Sequence, residues 1–110
     1  MANRIDLEII QDFLREDKFI ISNHARVRMF QRNISTDDVK NVILFGEVIE
    51  SYPDDKPCPS ALILGFLRTI AVHVVLAQCR DHVRIITVYL PKPDKWADYK
   101  IRKGIKSETK

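Results

Sequence analysis

Glycine is scarce in this chain of 110 residues: Gly46, Gly65 and Gly104 are the only three, and they stand far apart. That spacing excludes a glycine-rich loop of the kind whose backbone amides cradle a nucleotide's phosphates. Cysteine is nearly as rare. Cys58 lies between prolines in K-P-C-P-S and Cys79 ends an apolar run, so the two make no disulfide framework, and neither sits in a nucleophile motif. In a reducing compartment both read as free thiols. A metal centre lacks its paired motif. Cys79 and His82 are three apart with only His24 and His73 to join them, and no metal or other cofactor is expected. No apolar run approaches the roughly 20 residues of a membrane helix. The opening M-A-N-R-I-D-L-E has no charged region followed by an apolar one, so no secretory leader is read. The expectation is a cytoplasmic protein with no membrane contact.

Acidic residues are missing from one stretch in particular. Ser22 to Ile34 reads S-N-H-A-R-V-R-M-F-Q-R-N-I and contains no Asp or Glu. It places His24, Arg28 and Arg32 four apart, which on a helix of 3.6 residues per turn forms one stripe. The stripe combines a group that titrates near neutral pH with two permanent planar cations, a set suited to a phosphate. Bulk charge is a weaker signal. The net charge is +3, but residues 100–110 hold five cations against Glu108 alone, a net +4, which leaves the rest of the chain at −1.

The remaining pattern is that of a soluble globular protein, 45% hydrophobic and 30% charged. A single domain is expected over residues 1–103, with 104–110 a mobile basic tail. Ile5 to Arg15 has apolar residues at helical spacing. Phe19-Ile20-Ile21 is either a brief strand or a hydrophobic lead-in. A second helix starts at Ser22 or Asn23, both good N-caps, and ends near Asn33. Ser35-Thr36-Asp37-Asp38 resembles a capping box opening a third helix that Gly46 stops. Strands follow at Val48–Tyr52, Ala61–Leu67, Ala71–Cys79 and Val83–Leu90, joined by short connections that imply antiparallel neighbours. Asp94 to Arg102, with Trp96, Tyr99 and Ile101, reads as a short C-terminal helix. The fold class expected is α+β: N-terminal helices on a four-stranded antiparallel sheet, closed by that last helix.

If Cys79 pairs with Val83 across a three-residue loop, His73 lies opposite Tyr89 and Val75 opposite Thr87. A two-residue loop breaks that pairing, and the sequence alone leaves the register open. The pairing would set a His–Tyr–Thr patch on one sheet face, with His24, Arg28 and Arg32 at its rim. Metal-free RNA cleavage needs such parts: a base for the ribose 2′-hydroxyl, an acid for the leaving 5′-oxygen, and cations for the phosphorane. The candidate site residues are therefore His24, Arg28, Arg32, His73 and Tyr89. Each also has a structural reading: the arginines in ion pairs with Asp37, Asp38 or Glu50, His73 as a buried hydrogen-bonded histidine, and Trp96 as a core anchor. A helix-turn-helix DNA reader is disfavoured, because Asp37 and Asp38 would open its recognition helix with the wrong charge.

The motifs H-A-R-V-R-M-F-Q-R-N-I-S-T-D-D-V, G-E-V-I-E-S-Y-P-D-D-K-P-C-P-S-A-L-I-L-G, H-V-V and I-I-T-V-Y-L-P-K-P-D-K-W together resemble a small prokaryotic family, domain of unknown function 4258, over about Phe19 to Trp96. That family is generally grouped with the barnase, colicin and RelE superfamily of ribonuclease folds, many of them toxins. The resemblance implies helices against a four-stranded antiparallel sheet, and His24, Arg28, Arg32, His73 and Tyr89 as site residues. It also implies RNA as the substrate and an antitoxin protein as a partner. Two functions follow as expectations: a metal-independent RNA endonuclease of the RelE-like toxin type, or a non-catalytic RNA- or protein-binding module using the same basic groove.

Overall fold

A computed structural model describes residues 4–103, and the expected basic tail at 104–110 lies outside them. Three helices lead: α1 (Leu7–Arg15), α2 (Asn23–Gln31) and α3 (Thr36–Leu44). Each starts where a side chain takes up a backbone N–H that the helix cannot use itself. Asp6 accepts from Glu8 and Ile9, and Ser22 accepts from Ala25. Ser35 and Asp38 form the expected capping box. The strands are β1 (Phe19–Ile21), β2 (Glu47–Tyr52), β3 (Ser60–Leu67), β4 (Ile70–Gln78), β5 (Val83–Tyr89), β6 (Trp96–Ala97) and β7 (Ile101–Arg102).

The class is α+β, but the sheet differs from the four antiparallel strands expected. It has five strands in the order β1-β5-β4-β3-β2, and β1 joins parallel to β5. Short loops predict neighbours only for strands consecutive in the chain. The β1–β5 pairing spans most of the fold and leaves no local signal. The second correction concerns the C-terminus. Trp96–Ala97 and Ile101–Arg102 form a two-stranded ribbon instead of a helix. Asp98 and Tyr99, at φ 52° and 63°, turn the chain between them. The buried Trp96 holds the ribbon against the sheet.

The third correction is covalent. Cys58 and Cys79, expected as free thiols, are joined in a disulfide that ties the proline-rich loop before β3 to the end of β4. They stand 21 positions apart in the sequence, so only the folded sheet brings them together.

The helices cover one face of the sheet. Ile10, Leu14, Val39, Val42 and Ile43 meet Ala61, Ile63, Val72, Val74, Leu76, Val83, Ile85 and Val88 in one core. α3 sits directly on β3. A methyl group at Gly65 would strike the Val42 carbonyl oxygen and stand 2.8 Å from its Cγ1, so β3 needs a residue without a side chain there. Among the described residues no helix is long and apolar enough to cross a membrane. Gly65→Ala is expected to lower the unfolding free energy by about 1–3 kcal/mol, the usual range for overpacking a filled core. The measurement is the urea midpoint at constant slope. An unshifted midpoint would mean that α3 does not press on β3.

Candidate functional site

Strand alternation sends every second residue to the face away from the helices. On that face β2 offers Glu50 and Tyr52, β4 offers His73, and β5 offers Tyr89. The register pairs Glu50 with Leu62, Tyr52 with Ser60, His73 with Tyr89 and Val75 with Thr87. The last two pairings match the three-residue-loop register, although the connection is built otherwise. Gln78 pairs with Val83, leaving four residues in the loop, and a bulge between Leu76–Ile85 and Val75–Thr87 leaves Ile86 without a partner across the ladder. The longer loop and the extra residue cancel. The bulge also switches faces. Ile85, which strict alternation would set beside Thr87 and Tyr89, turns into the helix-side core instead.

His73 is fully buried. Its Nε2 lies 2.7 Å from the Tyr99 carbonyl oxygen, which can only accept, so the proton is on Nε2. Its Nδ1 then accepts from the Tyr89 hydroxyl at 3.1 Å. The Trp96 ring stands edge-on, with centroids 4.5 Å apart. Burial pushes the imidazole below its ordinary pKa, and the Arg102 charge adds to that. The Tyr99 carbonyl and the Glu50 charge oppose the shift without reversing it. The neutral ring is therefore the resting state. Tyr99 reaches it from a left-handed backbone conformation, uncommon for a bulky residue and sustained here by what its carbonyl does.

The ribbon that seals His73 is fastened at its edge. Arg102 donates to both oxygens of Glu50, at 2.9 and 3.1 Å, and lies 4.7 Å over the Trp96 ring. Lys100 pairs with Glu47 at 3.1 Å, and Tyr52 donates a short hydrogen bond to Glu50. Burial raises the Glu50 carboxyl, but the hydrogen bonds from Arg102 and Tyr52 outweigh it and hold the group below its usual range. Burial and the Glu50 carboxylate push the Tyr52 hydroxyl up, and burial does the same to Tyr89.

The basic stripe reaches this network from the side. Ser22 caps α2 and also donates its hydroxyl to the Ile86 carbonyl at 2.8 Å, the carbonyl of the bulged residue. That bond sets the start of α2 on β5. Arg28 and Arg32 then form a cleft of about 310 Å³ with Tyr89, Lys92, Lys95 and Trp96. Arg28 belongs to α2 and Arg32 is its C-cap. None of the four cations makes a salt bridge among the described residues. Two of the acidic partners that a structural role would need are engaged elsewhere: Glu50 takes Arg102, and Asp38 caps α3. His24 is exposed one turn before Arg28 and does not line the cleft.

The structure thus gathers Arg28, Arg32 and Tyr89 in one cleft, links His73 to it through the Tyr89 hydroxyl, and leaves His24 outside. Lys92, Lys95, Tyr52 and Arg102 escaped the reading of the sequence, and Glu50 entered it only as a partner for the arginines of the stripe. Lys92 and Lys95 were hidden in a segment read as loop and helix. The partner that Glu50 takes, Arg102, lies 52 residues away and leaves no local signal. Among the described residues no group of three or more His, Cys, Asp or Glu could hold a metal ion.

A family model described as a domain of unknown function, DUF4258, matches residues 21–90. No curated protein and no solved structure matches the chain.

The folded pKa of His73 lies below the ordinary value of 6.5. The unfolded chain therefore binds more protons as pH falls beneath that value, and the stability present above it is lost on the way down to the folded pKa. Glu50, also depressed, gives up its share at lower pH, as its carboxylate protonates below 4.5. Urea midpoints should fall in two stages with acid. His73→Gln should abolish the first stage and keep the second. A wild-type midpoint flat across the histidine range would contradict the buried neutral ring.

Proposed function

The chain belongs to the DUF4258 family, and we propose that it is a metal-independent RNA endonuclease whose phosphate clamp is the Arg28–Arg32 cleft. The observation that carries this reading is the cleft itself: four cations with no salt bridge among the described residues, set around an aromatic hydroxyl, with no carboxylate among the described residues of the wall. Arginine forks match phosphate oxygens, lysines add point charge, and the Tyr89 and Trp96 rings offer surfaces for a base to stack on. A relation to the barnase, colicin and RelE ribonuclease folds is part of the same proposal. So is action in the cytoplasm, where the Cys58–Cys79 bond would have to withstand reducing thiols.

In this reading the scissile phosphodiester sits between Arg28 and Arg32. The ribose 2′-hydroxyl gives its proton to the Tyr89 oxygen as Tyr89 passes its own proton to Nδ1 of His73. The new imidazolium faces the Glu50 charge and keeps its Nε2 bond to Tyr99. The 2′-oxygen bonds to phosphorus, the bond to the 5′-oxygen breaks, and a 2′,3′-cyclic phosphate remains. The leaving oxygen takes its proton from water, since His24 lies outside the cleft. His73 is then a positioning and proton-accepting group behind Tyr89 and does not itself touch RNA. Because burial depresses His73, the rate should rise with pH only in acid and should already be on its plateau at the ordinary histidine value of 6.5.

One observation favours a second reading, that of a non-catalytic module holding RNA or an acidic segment of an antitoxin protein. No imidazole lines the cleft wall, and both nitrogens of His73 are already engaged. The test is incubation of purified protein with single-stranded RNA in chelator. Cleavage is expected, with Tyr89→Phe cutting about 100-fold slower, the low end for loss of a general acid or base. Arg28→Ala with Arg32→Ala should lose binding in a salt-dependent way. Binding without cleavage would replace the first reading with the second, and absence of both would overturn the two together.

A further inference from the structure

Just past the end of β4, the Cys58–Cys79 disulfide enters the walls of two cavities. Both cysteines are half-buried, and both line each cavity. The larger cavity, of about 470 Å³, adds the prolines on either side of Cys58 and two arginines, Arg4 and Arg80. Among the described residues no carboxylate lines it, and neither arginine makes a salt bridge. Asp81, next to Arg80 in the sequence, is taken by His82 at 2.8 Å. The smaller cavity, of about 310 Å³, has Lys56 and Arg84 but also Asp55. An anion is therefore better received in the larger one.

The bond is not what holds its two ends in place. The Gln78 N–H donates to the Pro59 carbonyl at 2.8 Å, and Ser60 pairs with Ala77, so the neighbours of both cysteines are fixed by the β3–β4 ladder. The Cys79 N–H donates to the His82 carbonyl at 2.9 Å. Pro57 and Pro59 stiffen the chain around Cys58. Opening the bond thus frees the loop over residues 53–58 without dismantling the sheet, and it leaves two sulfurs placed to close again.

We propose that this is a thiol–disulfide exchange site for a peptide thiol that carries carboxylates. The carboxylates meet Arg4 and Arg80, which brings the thiolate against the disulfide. Its sulfur bonds to one cysteine sulfur and the Cys58–Cys79 bond breaks. The electron pair leaves on the other cysteine sulfur, a thiolate that takes a proton from solvent. The surrounding cations favour that thiolate. Two fates follow. The freed cysteine attacks the mixed disulfide, expels the peptide thiol and restores the original bond. Alternatively, a second peptide thiol attacks the sulfur of the first, which releases the oxidised dimer of the peptide and leaves both cysteines reduced. The two electrons then come from two thiols. In a reducing compartment the bond opens and closes with the supply of thiol, while the fold stays. The site is independent of the RNA reading, since it shares no residue with the Arg28–Arg32 cleft.

The experiment exposes the oxidised full chain to glutathione or to its diethyl ester, which keeps the thiol and masks both carboxylates. The mixed disulfide is followed by intact mass after acid quenching, and each rate is divided by the thiolate concentration. Glutathione is expected to react about tenfold faster than the ester at low salt, the low end of electrostatic steering, and high salt should narrow the gap. Arg4→Ala with Arg80→Ala should abolish it. The captured protein should keep a single cooperative urea transition. Equal rates for the two thiols in wild type, or a gap that survives the double substitution, overturns the assignment to this cavity. Exchange that proceeds only in urea concentrations that unfold the chain, or loss of the cooperative transition on capture, overturns the site altogether.

Discussion

A neutral imidazole buried between two sheets organises this molecule's functional side. Nothing about His73 in an apolar strand is tolerable unless both ring nitrogens find partners, because an orphaned polar group in that position costs about 1–3 kcal/mol. One partner, the Tyr99 carbonyl, comes from the C-terminal ribbon. The other, the Tyr89 hydroxyl, comes from β5 and opens on the cleft. The ribbon's position follows from that demand. Trp96 closes over the ring, Arg102 lies over Trp96, and Glu50 receives Arg102. The ion pairs at the ribbon's edge are partly exposed, and such pairs contribute at most about 1 kcal/mol. They select the ribbon's place, while the buried rings hold it.

The second organising feature is the bulge in β5. It frees the Ile86 carbonyl, which accepts the Ser22 hydroxyl, and it restores the register that sets Tyr89 across from His73. One irregularity therefore fixes two things at once: where α2 begins, and which residue of β5 meets the histidine. The alignment of Arg28 and Arg32 with Tyr89 depends on both. Positive side chains on a helix are commonplace. Cations without carboxylate partners among the described residues, beside a hydroxyl that is hydrogen-bonded to a buried base, are what give this surface chemical meaning.

The parts legible in the sequence were those written locally. Ser22, Ser35 and Asp38 announced two helix starts, because capping acts within three residues. Alternation and short loops announced β2 to β5 and offered the pairing of His73 with Tyr89 as one of two registers; the loop of that register was one residue too short, and the bulge was unseen. What escaped was decided by distant partners. β1 joins β5 from the other end of the fold, Cys58 finds Cys79, and Glu50 finds Arg102. The segment around Trp96 has a helix-like spacing, yet its tryptophan is needed on His73 and its Tyr99 carbonyl on Nε2. Tertiary demand outweighed local pattern there. The stripe of His24, Arg28 and Arg32 was visible as a stripe, but only the three-dimensional cleft separates the two arginines that line it from the histidine that does not.

The most direct test of this account is the protonation state of His73, read from the nitrogen-15 chemical shifts of its imidazole ring in the folded protein near neutral pH. The account predicts a neutral ring with its proton on Nε2, an Nδ1 shift typical of an acceptor, and Nε2–H protected from exchange with water. A charged ring at that pH, a proton on Nδ1, or rapid averaging between tautomers would contradict it. Any of these would mean that the ribbon does not close over the histidine and that Tyr89 has no base behind it.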